Sequence, residues 1–291
     1  MPTYSSNNKR IAKNTIFLYF RMMLIMVVSL YTSRVVLNTL GITDYGIHNV
    51  VGGLVSMFSL ISGSMNTTIS RYLTFELGRG NVERLKVVFS TSVNIQIGIS
   101  LIIVLLAEIA GLWFLNYKMV IPPERMIAAN WVFQCSLLSF CINIISVPYN
   151  AVIIAHEKMD SYAYFGILEV LLKLLIVFLL LFSSWDKLIY YSILLLAVSL
   201  FMRILYGWYC NKYFKESKYF FVLEKSVLKE MGSFAGWNYL GAIAAILRTQ
   251  GLNVLLNLFF GVTVAVTVFA FILIYKPFFQ YTRLPPQNCD L

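Results

Sequence analysis

The sequence predicts an all-α, polytopic membrane helix bundle. Three observations carry that expectation. Of the 291 residues, 59% are hydrophobic and only 12% are charged, against about 25% charged in soluble domains. Apolar runs long enough to cross a hydrocarbon core of roughly 30 Å alternate with short charged connectors. Those connectors are alternately rich and poor in lysine and arginine, the asymmetry that orients membrane proteins.

The first span, Asn14 to Gly41, is about 28 residues long, or roughly 42 Å as a helix. Asn14, Arg21, Thr32 and Thr39 share one side of it, and Phe17, Leu18, Met22, Met23 and Met26 lie opposite. A guanidinium at mid-depth costs about 2.5–3.5 kcal/mol, so Arg21 should face a bundle interior or a cavity. It either positions helices through carbonyls or a nearby acid, or it binds an anion. After a turn with Gly41 and Asp44, the second span (Tyr45 to Leu77) places Asn49, Gly52, Ser56, Ser59, Gly63, Asn66 and Ser70 on one stripe. The stripe suits close helix packing, with the wall of a polar cavity as the alternative. The third span, Val87 to Tyr117, carries Glu108.

Pro122-Pro123-Glu124 marks the start of a fourth span that reaches about Ile154 and contains Pro148, flanked by Asn143 and Asn150. Proline there should bend the helix. The fifth span, Tyr162 to Phe182, carries Glu169 and Lys173 in the favourable order for an ion pair. The pair reads first as self-neutralised, with a transport role as the alternative. Arg203 sits in the sixth span, Leu188 to about Tyr209. A lysine-rich connector, Asn211 to Glu230, precedes a seventh span, Met231 to Phe260, with Arg248, and a last apolar run, Val262 to Tyr275.

Lys9, Arg10 and Lys13, then Arg79, Arg84 and Lys86, Lys158 and the lysines of the long connector fall on one side, which is therefore expected to be cytoplasmic. The N-terminus lies on that side. The net charge of +10 reports these loops and implies no nucleic-acid partner. Cys135, Cys141, Cys210 and Cys289 show no metal-ligand spacing. No phosphate-binding loop, nucleophile elbow, zinc motif or dinucleotide fingerprint is present. The sequence thus points to a non-enzyme that needs no cofactor.

What remains is a cationic excess inside the spans: Arg21, Arg34, Arg203, Arg248 and Lys173 against Glu108 and Glu169. Arg21, Arg248 and Arg34, with Gln250 and Asn253, are candidate ligands of an anionic head group such as a phosphate or diphosphate. Glu169, Lys173 and Glu108 are candidates for a coupling or structural ion pair. Gln250, Asn253 and Asn257 lie roughly opposite Arg248, so one of those two faces lines the cavity. Val35-Val36-Leu37-Asn38 before Gly41 is echoed by Val254-Leu255-Leu256-Asn257 before Gly261. Each follows an embedded arginine six helices apart, the pattern of two parallel repeats.

Several segments resemble polysaccharide flippases of the Wzx type, in particular the branch found in Bacteroides-like bacteria. They are Arg34-Val35-Val36-Leu37-Asn38, Leu40-Gly41, Asp44-Tyr45-Gly46-Ile47, Asn49-Val50-Val51-Gly52-Gly53, Pro148-Tyr149-Asn150-Ala151, Ala155-His156-Glu157-Lys158-Met159, Trp237-Asn238 and Leu247-Arg248-Thr249-Gln250-Gly251. The likeness runs from about Lys9 to Val264. It places the chain in the multidrug/oligosaccharidyl-lipid/polysaccharide exporter superfamily, whose members have two helical lobes around a central, often cationic cavity. The resemblance implies a multi-pass protein of the bacterial inner membrane. Such a protein flips an undecaprenyl-diphosphate-linked oligosaccharide for O-antigen, lipopolysaccharide or capsule synthesis, with other polysaccharide-assembly proteins as further partners.

On this reading residues 1–213 are an N-terminal six-helix lobe and 214–230 a cytoplasmic connector. Residues 231–280 are the first two helices of an incomplete second lobe, and 281–291 are an atypical tail. After Val264 the family's small polar helix gives way to Ala265-Val266-Thr267-Val268-Phe269, and the end from Arg283 to Leu291 has no counterpart. A frameshift or truncation is expected there, with residues from about 265 poorly ordered and the short chain inactive. Two other functions compete: a cation-coupled multidrug exporter of the same superfamily, and a non-transporting scaffold for polysaccharide assembly.

Overall fold

Helix α5, Met126–Ala155, is the hub of the computed structural model, which describes residues 4–56, 58–117, 119, 121–183, 185–222 and 224–244. It packs against α1 (Tyr4–Ser56), α2 (Ser59–Arg79), α3 (Val82–Leu106), α6 (Met159–Leu181) and α7 (Lys187–Tyr213). Its sequence explains the position. Ala128, Ala129, Val132, Phe133, Leu137, Ile144, Ala151, Val152 and Ile153 are buried, while Ile127, Trp131 and Leu138 form an exposed strip on its first half. The first half of α1 is at the other extreme: Met22, Met23, Met26, Val27 and Leu30 stay exposed, a face suited to lipid. The described residues contain helices and connectors but no strand, so the all-α membrane bundle is realised.

The helix limits track the apolar runs, with instructive exceptions. α1 runs through the expected first turn and is broken at a single residue, Gly41, with φ 81° and ψ 168°. That backbone region is essentially glycine-only. The expected second span is split in two, residues 42–56 and then α2. The break follows Gly52-Gly53 and falls between Ser56 and Ser59, where the Phe58 N–H donates to Val55 O in a tight turn. α3 continues through a π-helical turn, Ala107–Gly111, into α4, Leu112–Tyr117. Pro148 sits inside α5, which continues as helix past it. Beyond a short 3-10 turn, Lys215–Ser217, the next helix starts at residue 225, earlier than the expected Met231.

Two buried clusters form the core. One gathers Ile69, Leu73, Phe89, Tyr149, Val152, Met202 and Phe214. The other gathers Val36, Ile47, Leu115, Phe133, Leu137, Leu180 and Leu188. Each end of the bundle is tied by polar contacts between connectors. At one end Arg125 donates to Asp44 at 2.6 Å and to Asp186 at 2.5 Å, joining three turns. Asp186 also caps α7 through the Leu188 N–H. At the other end Arg84 reaches Glu224 at 3.1 Å, Asn94 donates to Val222 O at 2.7 Å, and His156 pairs with Glu216 while stacking on Phe214 at 4.3 Å. The connectors are thus sorted between two ends as the alternating charge pattern requires. Met1–Ala235 is one compact unit, and Gly236 begins another, of which residues 236–244 are described, as helix. The eighth apolar run, the tail and the repeat around Arg248 lie outside the described residues.

Burial alone would raise the Glu216 carboxyl, but the hydrogen bond with His156, a backbone hydrogen bond and the charge of Lys86 together hold it below its usual 4.5. A depressed carboxyl stabilises the fold above its unfolded pKa and loses that contribution as pH falls through the folded value. Thermal stability in detergent should therefore drop as pH is lowered below about 4.5, and Glu216→Gln should flatten that drop. Separately, Gly41→Ala should cost about 1–3 kcal/mol in the same assay. Gly46→Ala, a helical site where a Cβ meets nothing within 4 Å among the described residues, should be neutral or stabilising.

Candidate functional site

Glycine at position 166 determines where Arg21 lies. A Cβ there would stand 2.1 Å from Arg21 Nε, so any other residue would push the guanidinium away. With glycine, the group lies across α6, its Cζ 4.3 Å from the Tyr162 ring centroid. A cation over a ring face recovers part of what is lost on leaving water. Tyr162, Gly166, Glu169 and Lys173 recur at helical spacing and present one face of α6 towards the first half of α1. Lys173 Nζ donates to Glu169 Oε1 at 2.6 Å. The two side chains remain 45% and 39% exposed, so the pair contributes little to stability and stays open to its surroundings.

Three cavities meet at that pair. The first, about 250 Å³, is lined by Arg21, Thr32, Gly166, Glu169 and Lys173. The second, about 420 Å³, is bounded by Asn66, Phe140, Asn143, Asn150, Glu169 and Tyr206. The third, about 280 Å³, holds His48, Ser136, Asn143, Lys173, Ser192 and Ser199. Glu169 borders the first two, and Lys173 the first and third. Buried polar atoms face this region without a hydrogen-bond partner among the described residues: Arg21 Nε, Thr32 Oγ1, His48 Nδ1, Asn66 Oδ1 and Asn150 Oδ1. Such groups call for water or a polar ligand. Two cations against one carboxylate leave the first cavity with one positive charge.

The sequence-predicted residues divide into groups. Arg21, Glu169 and Lys173 come together. Arg34 is exposed and lines none of the three cavities, and neither does Glu108, which is half-buried in the π-helical turn. Arg203 stacks on Tyr149 at 3.9 Å, a structural contact between α7 and α5. Arg248, Gln250 and Asn253 lie outside the described residues. The small-residue stripe of the second span does not pack closely at its glycines. A Cβ at Gly52 or Gly63 would meet nothing within 4 Å among the described residues, and both line cavity walls. The favoured packing reading gives way there to the cavity-wall alternative, because the helix breaks at the middle of the stripe.

Sequence reasoning did not single out Tyr162, Gly166, Asn143, Asn150, Tyr206 or His48 as site residues. The available signal was spacing. Asn143, Ser146 and Asn150 on α5, and Ser192, Ser199 and Tyr206 on α7, recur at three- and four-residue steps or their sums.

The described residues thus form a polytopic helical bundle with polar cavities, of which the first is net cationic. A solved structure of a MOP superfamily transporter from Pyrococcus furiosus superposes with a TM-score of 0.70 at 14% identity. The match covers 90% of this chain and 58% of that one, so the chain spans little more than half the transporter's length. The likeness establishes the fold. For that transporter, the reversed polarity of its binding pocket is said to suggest a different function. No protein-family model and no curated protein matches the chain.

Proposed function

We propose that the chain is a membrane transporter of the MOP superfamily that translocates a lipid-linked oligosaccharide, and that its cationic cavity holds the diphosphate. The observation that carries this reading is Arg21, poised over Tyr162 and Gly166 with its Nε without a partner among the described residues, on the wall of a cavity shared with Lys173. A guanidinium presents a planar fork that matches phosphate oxygens in pairs. The Wzx-like segments of the sequence supply the substrate class. Undecaprenyl diphosphate carries the charge, the bilayer takes the lipid tail, and other polysaccharide-assembly proteins would act beside the flippase in the bacterial inner membrane.

Loss of the gene should abolish surface polysaccharide and leave its lipid-linked units on the cytoplasmic leaflet. The 291-residue chain should not restore export, and a form carrying a complete second lobe should, so the variants are made in that form. Arg21→Ala should fail at normal membrane levels, Arg21→Lys should restore it partly, and Gly166→Val should copy Arg21→Ala by displacing the guanidinium. Normal polysaccharide with altered drug resistance would favour the cation-coupled exporter, and normal export by Arg21→Ala would remove the anion site.

The sidedness has its own test. A single cysteine at Lys218, in a background where Cys135, Cys141, Cys210 and Cys289 are replaced, should be labelled by a membrane-impermeant maleimide only after the cells are permeabilised. Labelling in intact cells would invert the topology.

A further inference from the structure

We infer that the second cavity is a subsite for a neutral, polyhydroxylated sugar ring, joined through Glu169 to the cationic subsite that takes the diphosphate. This inference rests on the reading given under Proposed function.

The second cavity differs in chemistry from the first. Its volume, about 420 Å³, falls in the roughly 300–1,000 Å³ range of small-molecule sites. Among the described residues its wall carries no arginine or lysine, and its one acidic side chain is Glu169, at the border with the first cavity. Asn66 from α2 and Asn143 and Asn150 from α5 converge on it with hydroxyls from both helices and from α7. An amide side chain offers both donors and acceptors. Asn66 Oδ1 and Asn150 Oδ1 are buried and have no partner among the described residues.

A purely apolar guest would leave those atoms unpaired, which disfavours it. A second anionic group would find no cation there and would meet the Glu169 carboxylate. A sugar hydroxyl or acetamido group donates and accepts in the same way as the amides. Phe140 and Tyr206 supply an apolar aromatic wall for the C–H face of a ring. Because Glu169 lines both cavities, one ligand with its diphosphate against Arg21 can place the adjoining sugar among the asparagines. Glu169 then accepts from a sugar hydroxyl while Lys173 remains beside it.

The test uses the full chain in nanodiscs and two probes, farnesyl diphosphate and farnesyl-diphosphoryl-N-acetylglucosamine, with affinities read by microscale thermophoresis. Wild-type protein should bind the glycosylated probe at least tenfold more tightly than the bare diphosphate. Asn66→Ala and Asn150→Ala should each reduce that ratio several-fold, and Asn143→Ala should do so too. The ratio is read within each variant, so a loss of folded protein does not imitate the effect. A ratio near one in the wild type, or a ratio unchanged in all three variants, overturns the sugar subsite while leaving the diphosphate site standing. Absence of any binding of the bare diphosphate, or binding that survives Arg21→Ala, overturns the anion site instead. A loss of affinity for inorganic diphosphate in the asparagine variants, equal to the loss for the glycosylated probe, would mark the second cavity as part of the anion pocket and overturn the sugar subsite.

Discussion

A guanidinium held inside a membrane-spanning bundle must be solvated by something, and the centre of this lobe follows from how Arg21 meets that demand. Among the described residues it has no carboxylate bonded directly to it. Its stabilisation comes from the Tyr162 ring face and from a cavity that keeps it beside polar groups, with the Glu169–Lys173 pair on the same wall. Gly166 makes the arrangement possible by vacating the space that the side chain crosses. α6 therefore serves a specialised purpose: its Tyr162, Gly166, Glu169, Lys173 face is committed to one charged group on α1 and its surroundings. A fully paired arginine would only fasten two helices. One with an unpaired buried Nε retains the capacity to bind.

Such an opening is tolerable because the rest of the lobe is fixed on either side of it. α5 contributes much of the core and packs against α1, α2, α3, α6 and α7, so its register places Asn143 and Asn150. The Arg125 bridge to Asp44 and Asp186 ties the turns at one end, and the contacts around Glu216, His156, Arg84 and Asn94 tie the connectors at the other. Asp44, with a side chain only 6% exposed, depends on Arg125 for compensation of its charge. The polar cavities are thus set among apolar contacts that do not depend on them, which is how a site can keep unsatisfied groups without the fold giving way.

Much of this was legible in the sequence. That the chain through Tyr213 is helical wherever it is apolar follows from apolar run length, because a bilayer leaves the backbone few alternatives to helix. The inward-facing charge at Arg21 and the pairing of Glu169 with Lys173 followed from periodicity within single helices. What periodicity could not supply was which faces meet. Arg34 and Glu108 are as conspicuous in sequence as Arg21, yet they lie on faces or at depths away from the cavities. Arg203 is stacked on an aromatic ring from another helix, a contact that no single-helix argument reveals. The break between α1 and α2 was missed for a different reason: hydropathy stays high across Gly52-Gly53, while backbone propensity decides where the helix gives way.

The Glu169 carboxylate reconciles binding with release on the proposed reading. A cavity with Arg21 and Lys173 alone would carry two uncompensated cations in a medium of low polarity, costly when empty and slow to let an anion go once filled. Pairing Lys173 with Glu169 at 2.6 Å removes one of those charges from the balance and leaves Arg21 as the principal electrostatic anchor. An arriving diphosphate must then compete with an internal carboxylate for Lys173, so its net gain is the difference between two ion pairs and not the full value of one. A modest difference of that kind is what a carrier requires, since a ligand can shift a conformational equilibrium only by its differential affinity for the two states. Neutral amides beside the charged site extend the same economy: they add selectivity through hydrogen bonds without adding charge that would hold the product back.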